Sequence, residues 1–257
     1  ADGSPYRCYV SPGDPRKVVV DSHGGGARWD QATCGPESRT YRKRVDVQEL
    51  YLAQGIYNRM SVANPFFGWT HVFVPYCTGD LHVGRATVDY GGFKVHHQGA
   101  RNAQAALEYV FRNHTNPERV FVTGCSAGAY GAVLWADKIL ATYKTAQIAV
   151  CGDAGVGVVT EDFPGFTAWN PRLPELPGLS SPPKVSEIYR ALAQAYPKAV
   201  LAQYTTLLDG TQIYFYALMK KEAAPSEATA REWAVAAERA VGFPASEANY
   251  TYYLAPG

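Results

Sequence analysis

Residues 120–134 read "VFVTGCSAGAYGAVL". The apolar, β-branched run at Val120–Val122 gives way to Gly124-Cys125-Ser126-Ala127-Gly128, and then to small residues that favour a helix. A serine between two glycines, with a strand before it and a helix after it, has the pattern of a nucleophile elbow. The serine of such a turn sits on strained backbone, and side chains in place of the glycines would strike the turn or the neighbouring strand. The following helix N-terminus favours developing negative charge. Ser126 is therefore the candidate nucleophile. A chance match would carry the same letters without the strand and helix on either side.

Outward from this turn the elements alternate. Upstream, "RKVVVDSHGGG" (16–26) predicts a buried strand, Lys17–Asp21, ending in a glycine loop. Further strands are expected in "THVFVPYC", "FKVHH", "AQIAVCGDAG", "AVLAQYTTLLD" and "NYTYYLAPG". Helical spacing marks Asp46–Met60, 100–114, 126–140, 185–197, 211–221 and 227–241. Strand and helix in alternation predict an α/β fold of three layers around a mostly parallel sheet, in a single domain over 1–257. The proline-rich stretch 163–183 reads as a cap or rim insertion.

His23-Gly24-Gly25-Gly26 follows the first strong strand and fits the glycine loop that supplies oxyanion-hole N–H groups to hydrolases with this elbow. Ala127, Gly25 and Gly26 are the expected donors. The alternative is a flexible glycine turn, but two such signals in the right order support each other.

The composition excludes other classes. Lys and Arg number 24 against 23 Asp and Glu, interspersed, with no basic stripe along the sequence, so no nucleic-acid partner is expected. No apolar run approaches the length of a membrane span, and "ADGSPYRC" reads as the start of a mature chain. The cysteines at 8, 34, 77, 125 and 151 have no metal-site spacing; neither a metal nor a cofactor is expected. Asn113 and Asn249 open Asn-x-Thr sequons of little weight.

Taken in order, the blocks "DSHGGGARWDQATC", "VFVPYCTGDLHVG", "HHQGARNAQAALEYV", "VTGCSAGAYGA", "CGDAGVG" and "LLDGTQIYFY" resemble the pectin acetylesterase/Notum family of α/β-hydrolase-like carboxylesterases, its bacterial branch in particular. The resemblance implies a serine carboxylesterase with a Ser-Asp-His triad, acting on acyl esters, first of all acetyl on polysaccharide. Lipid-ester or polyester hydrolysis by the same mechanism is the alternative. A catalytically inactive relative that binds glycans or lipids is a further one. It also implies an extracellular or periplasmic location and a Cys8–Cys77 disulfide. Arg28 stands where the family often has a cysteine partner for one like Cys34, so the pairing of Cys34 stays open, as does that of Cys125 and Cys151.

By the same resemblance Asp209 is the triad acid. It ends a strand-like run after the nucleophile, where such an acid must sit; an N-cap role is the other reading and is compatible with it. Asp153 is the competing acid, near the pocket. Asp80, His82 and Trp29 are candidates for the pocket, and Trp169 for its lining or for the core. His96 and His97 read as strand-end residues with satisfied hydrogen bonds.

The base is the open question. All six histidines, at 23, 71, 82, 96, 97 and 114, precede Ser126. α/β-Hydrolases have the order Ser, acid, His. Three readings remain. The histidine lies after Gly257, on a missing segment or a cleaved C-terminal fragment of the same protein; or His82 serves in a rearranged site; or the protein is inactive. The first is the favoured expectation.

Overall fold

The computed structural model describes residues 5–45 and 54–256. Its strands are β1 (Tyr9–Ser11), β2 (Asp14–Ser22), β3 (Trp69–Val74), β4 (Ala86–Asp89), β5 (Lys94–His97), β6 (Arg119–Cys125), β7 (Gln147–Asp153), β8 (Val200–Thr206) and β9 (Tyr250–Ala255). Its α-helices are α1 (Gln31–Cys34), α2 (Gly99–Asn113), α3 (Ala127–Thr142), α4 (Gly165–Trp169), α5 (Val185–Ala195), α6 (Gly210–Met219) and α7 (Glu227–Gly242). The central sheet has seven strands in the order β1-β3-β2-β6-β7-β8-β9. Only β1 runs antiparallel to its neighbour. The other five contacts are parallel. This is the α/β-hydrolase-like class that the alternation of elements implies.

The valine run at the centre explains the sheet. Val18 and Val20 point to one face with Val72, Val74, Val120, Val122, Val150 and Leu201, and pack against Ala103, Leu107, Val133, Ile139, Ile188 and Leu192 of α2, α3 and α5. Each fully buried side chain of this kind contributes about 1.5–3 kcal/mol over an exposed one. On the other face Tyr57 stacks on His71 (ring centroids 5.4 Å) and Phe66 on Phe121 (4.4 Å). Over β8 and β9 that face carries a stacked pair, Tyr204 and Tyr253, 39% and 63% exposed.

Two expectations need correction. Of the helix expected at Asp46–Met60, residues 46–53 lie outside the described residues, and the rest holds a single 3-10 turn, Gly55–Tyr57. Here Asn58, Ser61 and Asn64 accept backbone N–H groups from Met60, Ala63 and Phe66, so local side-chain bonds displace helical ones. The strand expected in "FKVHH" is present as β5, which pairs with β4 in a hairpin whose tight turn uses Gly91 and Gly92 at φ 83° and 104°. Second, the expected Cys8–Cys77 disulfide is not seen: no disulfide occurs among the described residues.

Candidate active site

Ser126 sits where β6 hands over to α3, with φ 57° and ψ −124°, a conformation that L residues avoid. Its own N–H donates to the Asp153 carbonyl at 2.8 Å, which pins the turn to β7. The flanking glycines are obligatory for space. A Cβ on Gly128 would collide with the Ser22 carbonyl oxygen of β2, and one on Gly124 with the Gly128 carbonyl. Helix α3 therefore starts in backbone contact with the sheet, and the serine projects from its N-terminus.

The glycine loop lies alongside: a Cβ on Gly24 would sit 3.2 Å from the Ser126 Cβ. Gly26 forms a bridge with Tyr41, made by Ala27 N–H to the Thr40 carbonyl (2.9 Å) and Arg42 N–H to the Gly25 carbonyl (2.8 Å). The Tyr76 hydroxyl donates to the Gly26 carbonyl at 3.0 Å. The carbonyls of this loop are thus tied back. Among the described residues, the N–H groups of Gly25, Gly26 and Ala127 donate to no protein acceptor. Gly26 and Ala127 share one cavity with Ser126.

That cavity is lined mainly by apolar side chains, among them Trp29, Leu81, Val158, Phe163, Trp169 and Phe215. Trp29 meets Phe163 edge to face at 5.2 Å, and Phe163 meets Trp169 likewise at 5.6 Å. Trp169 is fully buried and donates its Nε1–H to the Arg28 carbonyl at 2.8 Å. The stretch from 163 onward therefore contributes two aromatic walls, fixed to the loop that carries Trp29.

Asp80 and His82 do not line this cavity; Leu81 between them does. Both are fully buried and turned inward. The Asp80 carboxylate accepts from Thr78 Oγ1 (2.6 Å) and from the Gly99 N–H at the start of α2 (2.8 Å). It caps that helix, although burial pushes its carboxyl up. His82 Nε2 lies 2.8 Å from the His23 carbonyl, so as the Nε2–H tautomer it donates there; its ring stacks on Tyr76. Burial depresses its pKa to about 4. It braces the glycine loop and stays neutral near pH 7.

Asp209 caps α6. Its Oδ1 accepts the Gln212 N–H and its Oδ2 the Gln212 side-chain amide, both at 2.9 Å. The same amide reaches Thr205 Oγ1 at 2.9 Å, and Gln212 Oε1 accepts the Val156 N–H at 3.1 Å. Gln212 and Thr211 line the serine cavity. The Asp209 charge is felt at Cys125 and Tyr130 on either side of the elbow; burial foremost, then Asp153 and Asp209, push the Cys125 thiol up to about 12. Asp153 ends β7 and bonds through its side chain with Cys125, and burial raises its carboxyl. Neither Asp153 nor Asp209 lines the cavity.

The remaining imidazoles point elsewhere. His71 Nε2 lies 3.1 Å from Asp21 Oδ2, His96 Nδ1 3.0 Å from Thr87 Oγ1, His97 Nε2 2.9 Å from the Tyr90 hydroxyl, and His114 Nδ1 3.2 Å from the Pro15 carbonyl. His23 packs on Phe73, ring centroids 4.9 Å apart. His82, the one upstream candidate for the base, is held by the loop it braces, so its assignment as base fails. Gln212, Tyr130, Phe163 and Phe215 are site residues that sequence reasoning misses. Spacing offers one signal, since Gln212 is three residues after the expected acid and Tyr130 four after the serine.

Residues 1–172 match the family model described as pectinacetylesterase. The chain belongs to the pectinacetylesterase family. Pectin acetylesterase 11 of Arabidopsis thaliana is 29% identical over 171 residues, 64% of this chain and 44% of that protein. Pectin acetylesterase 7 of the same plant is 28% identical over 151 residues, 57% and 39% respectively. The aligned region thus spans less than half of these relatives. The structure of the Wnt deacylase Notum from Drosophila superposes with a TM-score of 0.68 at 19% identity, covering 100% of this chain and 80% of that one, which establishes a shared fold. The family match includes the glycine loop and Ser126 and stops short of Asp209.

Proposed function

We propose that this pectinacetylesterase-family chain is a serine carboxylesterase. The observation that carries the reading is a strained serine at the mouth of an apolar cavity, beside three backbone N–H groups that no protein acceptor uses. Ser126 Oγ attacks the ester carbonyl. The tetrahedral oxyanion is held by the N–H groups of Gly25, Gly26 and Ala127, assisted by the N-terminus of α3. The alcohol leaves, and water releases the acid from the acyl-enzyme.

Asp209 is the proposed acid. Its carboxylate is fixed by Gln212, and its charge reaches the elbow. The base is a histidine held between Ser126 and Asp209 and contributed from outside residues 1–257, since each of the six within them is engaged elsewhere or packed away from the serine. The exposed Tyr204–Tyr253 face beside that end of the sheet offers such a segment a place to pack.

The substrate is an acyl ester, in the first reading acetyl on polysaccharide, hydrolysed outside the cytoplasm. A second reading is favoured by the cavity itself. Its walls, Trp29, Phe163, Trp169 and Phe215, are apolar and suit an apolar acyl chain better than a polar sugar. Two measurements, both made with imidazole added to supply the base, test the proposal: mapping of a fluorophosphonate label by mass spectrometry, and hydrolysis of p-nitrophenyl esters from acetyl to octanoyl. The label is expected on Ser126, with rates that depend on Ser126. A label on another residue, or equal rates in wild type and Ser126→Ala across the series, defeats the reading.

A further inference from the structure

The stretch 163–172 meets the serine cavity at one end and a nearly buried ion pair at the other. Phe163 and Trp169 line the cavity, and Trp169 closes α4. Asn170 then turns the chain through left-handed backbone (φ 44°, ψ 61°), and Arg172 follows Pro171. The Arg172 N–H donates to the Val83 carbonyl at 2.7 Å. Its guanidinium lies over the Trp135 ring, 4.6 Å from the centroid. One Nη donates to the Leu134 carbonyl and the other to Asp137 Oδ2 at 2.5 Å. Leu134, Trp135 and Asp137 all belong to α3, the helix that Ser126 opens.

This pair differs from an ion pair on the surface. The Arg172 and Asp137 side chains are 13% and 12% exposed, against 81% and 91% for Arg231 and Glu227. An exposed pair contributes little to stability, and a buried one carries a desolvation cost that apolar residues of the same volume avoid. What the Arg172 pair adds is a fixed geometry, and that geometry reaches the cavity by two routes. Arg85 holds the same stretch: its N–H donates to the Trp169 carbonyl at 2.8 Å, and its side chain reaches the carbonyls of Asn170 (3.4 Å) and Pro171 (3.3 Å). Trp135, under the guanidinium, donates its Nε1–H to the His82 carbonyl at 3.0 Å, next to the wall residue Leu81. Trp169 and Leu81 are therefore both referred to α3 through the contacts that Arg172 gathers.

We propose that Arg172 is a positioning residue that sets how the serine cavity discriminates between acyl chains of different length. Paired with Asp137 and stacked on Trp135, it holds the chain just after Trp169 against α3. Trp169 carries the edge-to-face series through Phe163 to Trp29. With this wall fixed, each methylene of a straight chain packs on apolar rings; with the clamp released, the wall drifts and that gain is lost. A two-carbon acid lies beside Ser126 and does not reach the wall. The acyl occupant rests on the esterase reading; the hold of Arg172 on the wall does not.

The test therefore uses Ser126→Ala protein, titrated in a calorimeter with straight-chain carboxylates from acetate to decanoate. Affinity is expected to rise by roughly twofold to fourfold for each methylene that packs on the wall. Two further changes are made in this background. Arg172→Lys keeps the charge but loses the planar fork that serves Leu134 and Asp137 together. Arg172→Met/Asp137→Leu replaces the pair with apolar residues and strands no charge. Both are expected to flatten the series while acetate binding and the melting transition stay close to those of the parent. Arg231→Met, in the surface pair, leaves the series unchanged. A full chain-length increment in both Arg172 variants overturns the proposal. So does a flat series in the Ser126→Ala parent, or an increment lost only together with the melting transition, since the pair is then merely structural. With imidazole added to otherwise wild-type Ser126 protein, the same substitutions should raise KM for p-nitrophenyl octanoate and leave the acetate ester unchanged. The expected binding pattern without any Ser126-dependent hydrolysis removes the esterase reading and keeps the clamp; hydrolysis whose chain-length preference ignores Arg172 does the reverse.

Discussion

The turn after β3 and the turn after β6 both force non-glycine residues into left-handed backbone, Leu81 (φ 54°) and His82 (φ 64°) in the first, Ser126 (φ 57°) in the second. Each such residue costs on the order of 1–3 kcal/mol. In the first turn, that cost is met by inward bonds. His82 reaches the His23 carbonyl and its own carbonyl accepts Trp135 Nε1–H at 3.0 Å, while the Leu81 N–H donates to the Tyr76 hydroxyl at 2.9 Å. In the second, backbone contacts hold the turn and the side chain is left over a cavity. Strain and a reactive residue type occur in both turns. What separates them is whether the side chain has already formed its hydrogen bonds, and the first turn acts on the second by bracing the glycine loop beside it.

The largest effect is expected on the acid side. Asp209→Asn retains an N-cap, so the melting temperature should barely move, while the Ser126-dependent hydrolysis supported by added imidazole is lost because the base loses its orientation. Asp153→Asn should change the rate by less than about tenfold, since its backbone carbonyl holds the Ser126 N–H and its side chain bonds with Cys125, contacts that position the turn without orienting a base. If the two variants behave the other way round, the acid has been misassigned.

Next comes the steric asymmetry of the two turns. Gly128→Ala drives a methyl into the Ser22 carbonyl, where backbone must yield, and should destabilise by about 3 kcal/mol or more in urea titration. Gly131→Ala meets the His82 ring at 2.7 Å and Ser22 Cβ at 2.9 Å, side-chain atoms rather than backbone, and should cost about 1–2 kcal/mol. Equal costs would mean the elbow is no tighter than its support.

A smaller effect concerns pH. His82 and His97 titrate near 4 in the folded chain, because burial disfavours the imidazolium, against about 6.5 unfolded. Their stabilising contribution is complete above about 6.5 and is lost as pH falls towards 4, at most about 3 kcal/mol for each. Asp80, raised by burial, works in the opposite direction and offsets part of it. Urea midpoints should fall between pH 7 and 4, and His82→Gln should flatten that slope. An unchanged slope would show that His82 is not the buried neutral brace described.

The elbow was legible because its physics is local: Gly124, Ser126 and Gly128 must occur at fixed offsets, and a strand and a helix must flank them. Elements with strong patterning, such as β2 and α2, were legible for the same reason. Asp80 and His82 were read outward because sequence gives the residue type and not the direction, and only the fold brings Gly99 and His23 to them. β1 has three residues, too few for any pattern.

The central claim is that Ser126 has its elbow, its donors and its acid, and that its base comes from outside residues 1–257. Imidazole rescue tests it most directly. Residues 1–257 and their Ser126→Ala variant are given an activated ester with increasing imidazole, and the difference in rate is recorded. That difference should rise with the neutral form of imidazole, saturate, and disappear in Asp209→Asn. A difference already large without imidazole and indifferent to its addition would mean that a histidine within these residues serves Ser126, and would contradict the account.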